Sequence, residues 1–224
     1  MHNTKLEFKD HLDKKSKKEW WEKELAECMH CYRIPNHNLH LPLKFRRIPE
    51  VCVDIGANVG TFSYYSSKFF KNIYSYEAVS TTYEVAKENL KKLENITLYN
   101  LAVSNKSGEK IKLAVHDSKL SGDSSIYNVS NEKPYELCET IDLDQIYEDN
   151  GFDYIDYMKV DCEGSEYEFL TDKDLSKINF LVMELHTAYL SKEKVNNLLQ
   201  YLNKFFDLQF KLGDHIFFFS QKGM

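Results

Sequence analysis

Three short runs bring together residue types that can do chemistry. The first is Val53-Asp54-Ile55-Gly56-Ala57-Asn58-Val59-Gly60-Thr61-Phe62. An apolar segment ends near an acid, turns on two glycines and enters a helical pattern. Gly56 permits a sharp turn, and Gly60 permits close approach between helix and ligand, because neither carries a Cβ. Amides at such a helix start point at whatever lies there, and a pyrophosphate would suit them. Two features redirect that expectation. The spacing is G-x-x-x-G, with Asn58 where a G-x-G-x-x-G turn has its middle glycine. Asp54 also sets a carboxylate where a pyrophosphate would be repelled and an ammonium group held. Glu77 follows 23 residues after Asp54, at the end of the next strand-like run. A carboxylate there can accept both hydroxyls of an adenosine ribose. Asp54, Gly56, Asn58, Gly60 and Glu77 together favour S-adenosylmethionine over NAD as the bound cofactor.

The second run is Tyr157-Met158-Lys159-Val160-Asp161-Cys162-Glu163-Gly164-Ser165-Glu166. Lys159 alternates with apolar residues, so it points into one face of a sheet and needs a carboxylate partner there. Asp161, Glu163 and Glu166 are available. The third run, Val182-Met183-Glu184-Leu185-His186, places Glu184 and His186 on one face by the two-residue period of a strand. In a parallel sheet its end adjoins Asp161. These residues can take a proton from an acceptor group, with Asp161 or His186 as the base and Lys159 keeping a carboxylate ionised. Asp161, Glu184 and His186 can alternatively hold a divalent cation. No metal is expected, because Lys159 already partners the carboxylates. Cys28-x2-Cys31 and His37-x2-His40 raise a separate zinc possibility. Cys28, however, lies on an apolar helical stripe where a small buried residue is expected.

The elements that must position these residues can be read in outline. Residues 1–49 form a helical extension and connector. Trp21, Leu25, Cys28, Met29 and Tyr32 share one helix face, and Pro35, Pro42 and Pro49 keep the following stretch extended. From residue 50 to 224 strands and helices alternate. Strands are expected at 51–55, 73–76, 96–103, 154–160 and 180–185. Helices are expected at 58–70, 81–93, 165–170 and 192–206. Two runs joined by Gly213-Asp214 predict an antiparallel hairpin at the end. This pattern predicts an α/β fold with a mostly parallel sheet covered on both faces. The 50 residues between Val103 and Tyr154 exceed what one crossover needs. Glu109 to Val115 reads as an extra strand and Ser121 to Ser125 as a polar loop, an insertion suited to the substrate side.

Composition narrows the function class. Among 224 residues there are 35 Asp plus Glu and 29 Lys plus Arg, a formal net charge of −6. An acidic chain is a poor phosphate-backbone binder, so no nucleic-acid partner is expected. No apolar run approaches bilayer length and the N-terminus is charged, so the expected setting is cytoplasmic. Five cysteines, an odd count, read as reduced thiols. The oligomeric state is left open.

The order of VDIGANVGTFS, YEAVSTTYEVAKENL, LYNLAVSNKSGE, TIDLDQIY, YMKVDCEGSEYEFL and LVMELH resembles the FkbM-type S-adenosylmethionine-dependent methyltransferases, over roughly residues 50–221. The resemblance implies a Rossmann-like class I methyltransferase fold, with a seven-stranded, mostly parallel sheet closed by a C-terminal antiparallel hairpin. It implies that the glycine turn and Glu77 hold the cofactor, that Ala102 and Val103 approach its adenine, and that Asp161 faces its methyl and is the favoured base. It implies an O-methyltransferase acting on a sugar hydroxyl of a glycan or glycoconjugate. The alternatives are a non-sugar small molecule or lipid as acceptor, or a cofactor-binding module without catalysis. Where the family often has proline after Glu77, this chain has Ala78-Val79-Ser80. Its first 50 residues match no family element. No proline follows the fourth strand, whereas amine-methylating relatives of the fold carry an Asn/Asp-Pro-Pro-aromatic loop there. A hydroxyl acceptor is favoured accordingly.

Overall fold

The computed structural model describes residues 49–114, 135–212 and 215–223. The expected N-terminal helix, the Cys28, Cys31, His37 and His40 quartet, the Ser121–Ser125 loop and the Gly213-Asp214 link lie outside these residues.

Val51–Ile55 forms β1, and all five residues are buried. A strand with both faces covered reads as a continuous apolar run rather than an alternating one. It pairs in parallel with β2 (Asn72–Tyr76) and, on its other side, with β7 (Ile155–Val160). β3 (Ile96–Tyr99) extends the sheet beyond β2, and β8 (Ile178–Glu184) extends it beyond β7. β10 (Ile216–Gln221) runs antiparallel to β8, and β9 (Phe206–Leu212) antiparallel to β10. The order is β3-β2-β1-β7-β8-β10-β9, seven strands with an antiparallel C-terminal pair.

The core divides into two layers along the pleat of β1. Cys52 packs with Phe62, Phe70, Ile73 and Phe218 on one side. Val51, Val53 and Ile55 pack with Ile146, Phe169, Leu198 and Leu202 on the other. Phe62 belongs to α1 (Thr61–Ser66). Ile146 belongs to α3 (Leu143–Asn150), Phe169 to α4 (Glu166–Leu170), and Leu198 with Leu202 to α5 (Lys192–Leu202). Each fully buried side chain of this size contributes about 1.5–3 kcal/mol. The second helix, α2 (Ser80–Leu90), follows β2.

Several boundaries differ from the sequence expectation, each for a local reason. α1 starts at Thr61 rather than Asn58, because Asn58 (φ 50°) and Gly60 (φ 89°) lie in the left-handed region. The expected strand 96–103 breaks after Tyr99. There the Asn100 side-chain amide donates to the carbonyls of Glu77 and Ala78, at 2.8 and 3.0 Å, and turns the chain out of the sheet. Ala102–Val103 becomes β4, which joins β5 (Lys110–Ala114) and β6 (Tyr135–Ile141) in a small sheet of order β4-β6-β5. β6 and α3 are additional to the elements expected. Asp142 caps α3 by accepting the Gln145 amide at 2.9 Å, and Gly151 (φ 64°) ends it. The last helix stops at Leu202, four residues short of the expected end, because Phe206 already belongs to β9.

No helix among the described residues is long and apolar enough to cross a membrane.

Candidate active site

The chain leaves β1 toward β2 and β3, then returns to place β7 on the opposite side of β1. Such a reversal opens a crevice at the carboxyl ends of the two strands. Gly56 and Asp161 meet across it. The Asp161 amide donates to the Ile55 carbonyl at 3.2 Å, and a Cβ on Gly56 would lie 1.7 Å from the Asp161 carbonyl oxygen. Only glycine allows the two strand exits to touch. The amides of Gly56 and Ala57 both donate to the Tyr76 carbonyl at 3.0 Å, which ties the turn to the end of β2.

Glu77 sits at that end and is almost fully buried. Its two carboxylate oxygens accept the amides of Asn58 and Val79, each at 2.8 Å. Burial raises its pKa to about 7, against the opposing pull of those amides. Each oxygen keeps a lone pair, so the carboxylate is fixed yet able to accept two more hydrogen bonds. Asn58 Oδ1, at the same wall, is buried with no hydrogen-bond partner. A ligand presenting hydroxyl or N–H donors fits these acceptors. Farther along, Ala102, Val103, Ile111 and Leu113 give the pocket an apolar end suited to a flat ring. Ile111 and Leu113 come from β5, so the inserted sheet supplies part of the wall.

Behind the pocket, Lys159 is 3% exposed and lies between two carboxylates, 3.3 Å from Asp54 Oδ1 and 3.4 Å from Asp161 Oδ2. Its ammonium also donates to the Gly56 carbonyl. A buried ammonium without such partners would cost several kcal/mol. Asp54 has no exposed surface, and its second oxygen accepts the Ser63 hydroxyl. It does not line the pocket. This burial turns Asp54 away from the expected direct contact with the cofactor's ammonium group; its contacts are the Lys159 ammonium and the start of α1. Gly60 is likewise displaced from the role expected of it. Its missing Cβ makes room for Leu90 of α2, 2.8 Å from where that atom would be.

At the far end stands His186, just beyond β8. Nδ1 lies 2.8 Å from Oε1 of the fully buried Glu166. Nε2 faces Glu163 at 3.3 Å, Asp161 at 3.7 Å and Glu184 at 3.9 Å. Burial alone would lower the imidazole pKa, but the hydrogen bonds to Glu163 and Glu166 and the charges of both outweigh it and raise it to about 11. These carboxylates favour the charged form of the ring. Cys162 is no nucleophile, since burial, then Glu166 and Asp161, push its thiol well up. Ligand atoms of Asp161, Glu163 and His186 lie within 4.8 Å of one another, close enough to share a cation.

The structure thus gathers Gly56, Asn58, Glu77, Ala102, Val103 and Asp161 on one pocket, with Lys159, Glu184 and His186 at its Asp161 end. Sequence reasoning missed Glu166 as the partner of His186, Ser63 as that of Asp54, and the β5 wall. Sequence reasoning had named Glu166 only as an available partner for Lys159.

Strand order, crevice and ribose-type carboxylate define the class I methyltransferase architecture. A family model, the methyltransferase FkbM domain, matches residues 54–212. That is well over half of the chain, and the chain belongs to the FkbM methyltransferase family. It is a methyltransferase whose methyl donor is S-adenosylmethionine. No match was found among curated proteins. Among solved structures, TrmK of M. capricolum with S-adenosylhomocysteine is 13% identical, with 89% of this chain and 68% of that chain covered and a TM-score of 0.45. A fibrillarin/Nop5p complex is 15% identical, with 90% and 81% covered and a TM-score of 0.49. A putative methyltransferase of Streptococcus mutans with S-adenosylhomocysteine is 10% identical, with 79% and 92% covered and a TM-score of 0.44. Likeness this distant bears on neither acceptor nor mechanism.

Proposed function

We propose that the protein methylates a hydroxyl group, on a sugar of a glycan or glycoconjugate. The observation that carries this reading is Asp161. It lines the pocket, is partly exposed, and is held from behind by Lys159 and from the side by His186. A fixed carboxylate at that point accepts a hydrogen bond from a hydroxyl and then takes its proton.

S-adenosylmethionine supplies a methyl already activated on a sulfonium. The chain's own task is to align the acceptor oxygen and remove its proton. In this reading Glu77 and Asn58 hold the adenosine part, Ala102 and Val103 flank the adenine, and Gly56 keeps the turn open. Asp161 is the base. Lys159 keeps it ionised, and Glu184 with Glu163 offers further acceptors for the sugar's other hydroxyls. The loop Asp161-Cys162-Glu163-Gly164 contains no proline, unlike the loop that clamps a planar amine, which supports a hydroxyl acceptor.

The test is incubation with methyl-labelled donor and a panel of glycans, followed by mass spectrometry of the labelled product. Label on a saccharide oxygen is expected. Label on nitrogen, or no acceptor labelled by a folded protein that binds S-adenosylhomocysteine, overturns the reading.

A further inference from the structure

We propose that Asp161, Glu163 and His186 form a binding site for one divalent transition-metal ion at the acceptor side of the pocket, with Glu166 holding the histidine ligand from behind. The site goes beyond the hydroxyl-transfer reading and does not depend on it.

The two ring nitrogens of His186 are held differently. Nδ1 lies 2.8 Å from Oε1 of Glu166, the length of a charge-assisted hydrogen bond. Nε2 lies 3.3 Å from Glu163 Oε2 and 3.7 Å from Asp161 Oδ1, longer than such a bond. Ligand atoms about 2.1 Å from a shared ion stand between about 3 Å and about 4.2 Å apart, according to whether they are adjacent or opposite. Both separations fall in that interval. One ligand atom from each of Asp161, Glu163 and His186 lies within 4.8 Å of the others, so an ion can enter with small side-chain adjustments. The sequence argument against a metal was that Lys159 already partners the carboxylates. In the fold, its ammonium meets Asp161 at Oδ2 and is shared with Asp54, whereas Oδ1 is the oxygen toward His186.

A second observation comes from outside the three ligands. Glu166 is fully buried, and its Oε1 is aimed at the imidazole while accepting the Gly164 amide at 3.1 Å. Its Oε2 is buried without a hydrogen-bond partner. A carboxylate so placed is costly unless positive charge stands close. An ion on Nε2 supplies that charge through the ring. A carboxylate on the far nitrogen also fixes the tautomer that turns the Nε2 lone pair toward a metal. Glu184, 3.9 Å from Nε2, brings a fourth carboxylate to the same place. One imidazole among carboxylates suits Mn²⁺ or Zn²⁺. Three protein ligands leave coordination positions open. An acceptor oxygen bound there would lose its proton more readily, which eases the task given to Asp161.

The experiment is a Mn²⁺ titration of full-length protein stripped with EDTA, read by the electron paramagnetic resonance of free Mn²⁺. One ion per chain is expected, with a dissociation constant on the order of 10⁻⁶–10⁻⁴ M. Pulsed spectra of the bound ion should show coupling to one histidine nitrogen. His186→Gln should abolish that coupling. Glu166→Gln should weaken binding about ten- to a hundredfold, and so should Glu163→Gln. Cys28→Ser/Cys31→Ser should bind as the wild type does. No bound ion in folded wild type at about 1 mM Mn²⁺, or a bound ion without histidine coupling, overturns the proposal whether or not any variant folds. So does a folded His186→Gln with wild-type affinity. The titration needs neither methyl donor nor acceptor. A failure here leaves hydroxyl transfer standing, and a failed search for hydroxyl products leaves the metal result standing.

Discussion

At the residue scale the pocket depends on two carboxylates in different states. Glu77 is fixed by two amides and faces the ribose position. Removing it leaves donors without an acceptor, a loss on the order of 1–3 kcal/mol. Glu77→Ala should weaken S-adenosylhomocysteine roughly ten- to a hundredfold, and an unchanged calorimetric affinity in a folded variant would remove Glu77 from the site. Because burial raises its pKa to about 7, acid should oppose binding. Affinity should fall as pH drops below about 7, approaching tenfold per unit, and Glu77→Gln should flatten that dependence. Asp161 acts on the rate instead. Asp161→Asn should lower turnover by about 10²–10⁴ with little change in S-adenosylhomocysteine affinity. Near-normal turnover, measured with labelled donor and an accepted saccharide, would refute its assignment as base.

At the element scale the glycines separate backbone strain from packing. Gly60 and Gly151 both have positive φ, yet a Cβ at Gly151 meets nothing within 4 Å while one at Gly60 meets Leu90 at 2.8 Å. Gly151→Ala should cost about 1–2 kcal/mol from backbone strain alone. Gly60→Ala should cost about 1–3 kcal/mol more from overpacking, and less in a Leu90→Ala background. Urea denaturation of the three variants and the double variant checks this; equal costs at the two glycines would refute the packing account. The same contrast explains what the sequence made legible. β1, β7 and β8 show as apolar runs because both faces are covered, and Lys159 stands out because it interrupts one. α3 does not show, since eight residues with only Leu143 and Ile146 buried give too short an apolar period. β4 was hidden by Asn100, whose bonds to Glu77 and Ala78 exist only once β2 and β3 are paired. The His186–Glu166 contact joins α4 to the segment after β8 and is purely tertiary, so spacing alone did not reveal it.

At the scale of the whole molecule, His186 links the site to stability. Its pKa is raised from 6.5 to about 11 by folding. A raised histidine pKa contributes stability that is fully present below about 6.5 and is lost as pH rises through about 11. Urea midpoints should therefore fall from pH 7 to pH 10.5 more steeply in the wild type than in His186→Gln. Parallel slopes would show that the imidazolium does not support the fold. Glu77 works in a lower window. Its raised pKa makes stability decrease as pH rises from 4.5 to about 7, so the two contributions overlap only between about pH 6.5 and 7.

The position of β10 has a consequence for how the protein is made. β8 ends at Glu184, but the strand that pairs with its open edge begins at Ile216, and the Leu185 amide is held by the His215 carbonyl at 2.7 Å. A nascent chain that has left the ribosome only as far as α5 can pair β1, β2, β3, β7 and β8, yet it still displays one apolar strand edge to its neighbours. The segment carrying His186 also lacks the Leu185–His215 bond at that stage. Arrival of β10 seals the edge and seats this segment in one event, so protection from aggregation and completion of the transfer site are timed together.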